Sequence, residues 1–157
     1  MKLKNYLHGI RYLLAWLLFP LTIYGQISIT FPTSRIVFQR DNFGNGTISI
    51  TGQYSQNIDR IEARVIPMNP GQGEQTDWRI IQQNPQGGFY SGSISVRGGW
   101  YELQVRGVAN GNTINTTELQ RVGVGEVFLV AGQSNAQGFF NYGAPSPGDD
   151  RVTCVHY

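Results

Sequence analysis

The residues best equipped for catalysis stand together in Gly132-Gln133-Ser134-Asn135. The Ser134 hydroxyl is the group that would attack an acyl carbon. Its own backbone N–H would steady the developing oxyanion, and Gly132 permits the tight bend that presents both. Immediately before them, Val127-Phe128-Leu129-Val130-Ala131 is an unbroken apolar run. Such a run is expected to be a strand buried on both faces, as at the centre of a parallel sheet covered by helices. Reactive groups in open α/β sheets collect at the carboxyl ends of strands, which is where Ser134 falls. A serine after a strand is also a common turn or helix-capping residue, and spacing alone leaves both roles open. A nucleophilic serine needs a base within about 2.6–3.2 Å. His156 is the one histidine outside the N-terminal segment. It is expected at the far end of the next strand and reads as a strand-end residue rather than as that base.

The elements that would carry this group begin with an export signal. Lys2, Lys4 and Arg11 flank or precede an apolar stretch over residues 12–23, too short and too broken to span a bilayer comfortably. Residues 1–25 therefore read as a signal peptide cleaved after Gly25, with an uncleaved anchor as the alternative. The expected location is secreted, periplasmic or at the cell surface, with no membrane contact after cleavage. Both lysines leave with the signal, so nine arginines face ten acids in the remainder. That near-neutral balance, with no arginine-rich run, argues against nucleic acid as a partner. Cys154 is the only cysteine, which rules out an internal disulfide and a cysteine-based zinc site.

From Gln26 to about Val124 the pattern has period two, the mark of strands with one face buried. Ile27, Ile29 and Phe31 alternate with Ser28 and Thr30. The same alternation places Ile48 and Ile50 inward, then Ile61, Ala63 and Val65, then Tyr90, Ile94 and Val96, then Tyr101, Leu103 and Val105. Turn residues separate these runs: Asp41 to Gly46, Asn69-Pro70-Gly71, Asn84 to Gly88, Gly98-Gly99 and Asn110-Gly111-Asn112. About seven short strands with frequent turns and no helix-period stretch predict a mainly β fold, an antiparallel β-sandwich of immunoglobulin or fibronectin type. Trp78 and Trp100 are expected to pack against the sandwich, with carbohydrate stacking as the sharper alternative.

The string Gly125-Glu126-Val127-Phe128-Leu129-Val130-Ala131-Gly132-Gln133-Ser134-Asn135 resembles the first block of the SGNH (GDSL-like) hydrolase superfamily. It is most similar to the sialate O-acetylesterase and acetylxylan-esterase-like branch. Members of that branch with a leading sandwich often carry a Gly-Gly-Trp-Tyr strand before this block, matched here by Gly98-Gly99-Trp100-Tyr101. The resemblance implies that Ser134 is the nucleophile and one oxyanion donor, with Gly132, Gln133 and Asn135 shaping the nucleophile loop. It implies a three-layer α/β/α hydrolase domain, an acetylated carbohydrate as substrate, and neither metal nor organic cofactor. Ala136 stands where many relatives have methionine. The family's base and acid come from a late block that does not occur through Tyr157, and its other oxyanion donors are missing too.

The expected organisation is a signal peptide over 1–25, a β-sandwich over 26–124, and the truncated start of an SGNH hydrolase domain over 125–157. The expected function is the N-terminal part of an exported carbohydrate O-acetylesterase, inactive without its base and acid. The alternative is a non-catalytic extracellular carbohydrate-binding or adhesive β-sandwich module.

Overall fold

A computed structural model describes residues 26–132 and 148–153. The alternating runs form strands where expected: β1 (Ile27–Phe31), β3 (Asn45–Tyr54), β4 (Arg60–Pro67), β6 (Phe89–Arg97) and β7 (Gly99–Ala109). Three further strands complete the sandwich, β2 (Val37–Gln39), β5 (Arg79–Gln83) and β8 (Asn112–Gly125). One sheet has the order β1-β3-β6 and the other β2-β8-β7-β4-β5.

The inward residues of both sheets meet in one core. Ile48, Ile50, Ile94 and Val96 face Ile61, Val65, Leu103 and Val105, and all are buried. The turns form for the reasons their residues supply. Asp41 accepts hydrogen bonds from the Phe43 and Asn45 amides, each at 2.9 Å, while Gly44 takes a left-handed φ of 83° that strains a side-chain-bearing residue. Asn110 and Gly111, at φ 50° and 77°, close the hairpin between β7 and β8.

One pairing departs from the expected antiparallel arrangement. After β1 the chain leaves the three-stranded sheet, and β2 joins the other sheet parallel to β8, with Val37 opposite Gly123 and Gln39 opposite Gly125. Pro32 within the bend has no N–H to continue the β1 ladder, and Arg35 turns the backbone with a left-handed φ of 69°. Having crossed between sheets, β2 arrives along the end of β8 in the same direction. At the other edge β5 ties the sheets together. Arg79 donates to the Ser95 carbonyl at 2.9 Å and Gln82 accepts from the Ser91 amide at 2.8 Å, so side chains of β5 cover the free edge of β6.

The expected strand at Val127-Phe128-Leu129-Val130-Ala131 does not form among the described residues. β8 ends at Gly125, residues 126–132 have no regular structure, and Val127, Phe128, Leu129 and Val130 are 54, 81, 92 and 73% exposed. The physical reason is lateral. A strand buried on both faces needs paired neighbours and covering helices, and among the described residues none flanks this run. No helix occurs among those residues either, so the α/β/α layers implied by the resemblance are not seen.

Candidate functional site

Of the four residues singled out at the nucleophile loop, Gly132 is exposed at the end of the irregular stretch. Gln133, Ser134 and Asn135 lie outside the described residues, as do His156, Cys154 and the signal segment. The described residues that lead into that loop are held. Glu126 accepts hydrogen bonds from Arg40 Nε at 2.7 Å and Gln39 Nε2 at 2.8 Å. The Gln39 side-chain oxygen accepts the Val127 amide at 2.7 Å. These donors pull the Glu126 carboxyl below its ordinary range.

The side chains with the most distinctive chemistry lie elsewhere, on the outer face of the five-stranded sheet. Alternation puts Glu62 and Arg64 of β4 beside Gln104 and Arg106 of β7, with Glu62 opposite Arg106 and Arg64 opposite Gln104. Trp78, just ahead of β5, lies across them. The guanidinium carbons of Arg64 and Arg106 sit 4.6 and 4.3 Å from its ring centroid, within cation–π range. Arg64 Nε donates to Gln104 at 2.8 Å, and Glu102 accepts from both Gln104 and Gln120. Two guanidinium groups thus lie against a half-buried indole, and a chain of side-chain hydrogen bonds runs on from Arg64 through Gln104 and Glu102 to Gln120.

Glu62 anchors this layer. The alternation predicts an outward, solvated residue, yet it is only 5% exposed, enclosed by the Arg60 and Arg106 side chains that pair with it. Arg60 Nε and Arg106 Nε donate to its two oxygens at 2.6 and 2.7 Å. Burial pushes its carboxyl upward, but the hydrogen bonds and charges of the two arginines outweigh that and leave it below the ordinary value. A lowered carboxylate contributes stability above its unfolded value, and the contribution is lost as pH falls through the folded one. Glu62→Gln is therefore expected to be less stable than the parent at neutral pH by about 1–2 kcal/mol, because the arginines are themselves partly solvated. Urea titrations should show the gap closing below pH 4.5. An equal gap at pH 3 and pH 7 would assign Glu62 a purely steric role.

Trp100, the other candidate stacking residue, is committed to packing. It lies opposite Gly123 in the β7–β8 pair, where an added Cβ would stand 3.0 Å from the indole, and its Nε1 donates to the Arg151 carbonyl at 3.0 Å. An open cleft of about 460 Å³ lies at the far end of the sandwich from Glu126, between the loops after β3 and β5, with Asn57, Asp59 and Asn84 on its walls. Among the described residues no three His, Cys, Asp or Glu side chains converge as a metal site would require. The Trp78 layer was hidden from sequence reading because it joins residues from three strands. The one available signal was a tryptophan beside an otherwise polar stretch.

No protein-family model matches the sequence, and no curated protein matches it. Among solved structures, the chain is similar to the fibronectin(III)-like modules of Clostridium thermocellum CbhA, with 15% identity and a TM-score of 0.39, over 66% of this chain and 100% of that one.

Proposed function

We propose that this chain serves as a non-catalytic, carbohydrate-facing β-sandwich module of an exported protein. The observation that carries the reading is the Trp78 layer. A sugar presents C–H groups on one face and hydroxyls around its rim, and it is met by an aromatic ring flanked by planar donors and acceptors. Trp78 supplies the ring, backed by Arg64 and Arg106, while Gln104 and Glu102 supply polar groups on the same outer sheet face.

The test is binding to an array of immobilised polysaccharides and acidic glycans. Trp78→Ala is expected to weaken the retained interaction by about tenfold or more while the fold persists. Trp100→Ala is expected to lower thermal stability instead, because its ring packs on Gly123. Unchanged glycan affinity in a folded Trp78→Ala protein would end this reading.

A second reading, that the chain opens an exported carbohydrate O-acetylesterase with Ser134 as nucleophile, is supported by a different feature. The SGNH-like block starts at Gly125, the last residue of β8, and its second residue is fixed by Gln39 and Arg40. On this reading the sandwich leads directly into the nucleophile loop, and acetylated carbohydrate is the partner of both.

A further inference from the structure

A second set of contacts lies on the edge formed by the β1–β2 bend, β2 and the end of β8. Residues 148–153 return to this edge. Asp149 organises their turn, accepting from the Arg151 amide at 2.9 Å and from Arg151 Nε at 2.7 Å. This turns the Asp150 carboxylate and the Arg151 carbonyl toward the sandwich. Asp150 is then gripped by two arginines, Arg35 at 2.7 Å through one oxygen and Arg121 through the other, while Trp100 Nε1 reaches the Arg151 carbonyl.

The backbone beneath this grip is unusual. Arg35 and Arg121 both adopt left-handed φ values, 69° and 63°, which are strained for residues bearing a Cβ. They are also bonded to each other, the Arg35 amide to the Arg121 carbonyl at 2.7 Å. Two strained arginines side by side, both aimed at one carboxylate, are more than a chance surface contact. A few residues along the same edge, Gln39 and Arg40 hold Glu126 and the Val127 amide.

The geometry points to this edge as an internal docking surface that grips the chain at two places, at residues 126–127 and again at 149–151, so that both ends of the intervening segment are fixed to the sandwich. Gln39, Arg40, Arg35, Arg121 and Trp100 are positioning residues for it. The inference stands apart from both functional readings, since it requires neither a catalytic Ser134 nor a bound glycan. Exposed ion pairs are individually weak, and the pairs here are partly solvated. What makes the surface effective is linkage: once 126–127 is held, 149–151 is confined near its own site and the second grip forms at high effective concentration.

The experiment is amide and indole hydrogen exchange on the full chain by NMR. Asp150→Arg, which meets repulsion from both arginines, is expected to speed exchange of the Trp100 indole N–H about fivefold or more. Amides of β3 and β6 should keep their protection. Gln39→Ala, which removes the acceptor of the Val127 amide, should act in the same way on that amide. Pairing Asp150→Arg with Arg35→Glu is expected to recover part of the indole protection. Wild-type protein in 1 M salt, where screening is strong, should move toward the Asp150→Arg behaviour without any substitution. Indole and Val127 exchange unchanged in both single variants and in high salt would overturn the proposal. So would acceleration spread evenly over β3 and β6, which would report general loosening of the sandwich.

Discussion

Gly52→Ala is expected to destabilise the sandwich by about 3 kcal/mol, at the upper end of ordinary overpacking effects. For a domain of this size that is a fall in Tm on the order of 15 °C. An added Cβ at Gly52 would stand 2.0 Å from the Ser28 carbonyl oxygen and 2.3 Å from the Tyr90 ring and hydroxyl. Tyr90 of β6 lies directly opposite Gly52 of β3, crosses over it, and donates its hydroxyl to that same Ser28 carbonyl on β1 at 2.9 Å. The glycine is the gap through which one buried tyrosine ties all three strands together. Burial among them raises the phenol's pKa well above its ordinary value.

Trimming Tyr90 would not rescue the substitution, because the Ser28 backbone oxygen would still be in the way. Gly44→Ala is the informative control. Its surroundings are open, so only the left-handed φ of 83° opposes it, at about 1 kcal/mol. Thermal melts of the two variants should differ severalfold in their displacement. Equal displacements would mean that β1 shifts away from β3 at little cost.

Ser134→Ala is expected to have the largest effect on activity under the esterase reading. In a polypeptide carrying a complete hydrolase domain beyond Tyr157, it should cut acetyl release from an acetylated polysaccharide by on the order of 10⁴ or more. The reason is chemical. Alanine has no hydroxyl to form the acyl-enzyme, while its backbone N–H and the substrate contacts persist, so the residual rate measures binding and oxyanion stabilisation alone. Glycan binding through the sandwich should be unaffected, which separates loss of the nucleophile from loss of the fold. Acetyl release at the parental rate would remove Ser134 from the mechanism and leave the module reading standing.

The alternation of apolar and polar residues was sufficient to place β1, β3, β4, β6 and β7 and most of their inward side chains, because a half-buried strand writes its burial at every second position. Three strands escaped for identifiable reasons. β2 has only three residues, too few to show a period. In β5, Ile80 is exposed although it sits in a strand that reads Arg-Ile-Ile-Gln-Gln. Over most of its length β8 is threonine-rich and polar, becoming buried only at Val122, Gly123 and Val124. Its existence follows from the Asn110-Gly111 hairpin and from β7 beside it, which are pairing facts rather than burial facts.

The candidate site divides along the same line. The chemistry expected of Gly132-Gln133-Ser134-Asn135 is a local reading, since a glycine, a hydroxyl and a preceding apolar run all stand within eleven consecutive residues. Glu62 is the opposite case. As one polar position in an alternating strand it reads as solvated, and only the guanidinium groups of Arg60 and Arg106 closing on its two oxygens make it a buried, doubly paired carboxylate. Val127 to Val130 show the converse: their apolar character was plain in the chain, but burial is a property of neighbours, and none flanks them among the described residues. Periodicity and turn chemistry were therefore enough for the five alternating strands and the turns between them. The Trp78 layer, the parallel β2–β8 pair and the grip on Asp150 arose from contacts between segments distant in the chain, which no local pattern encodes.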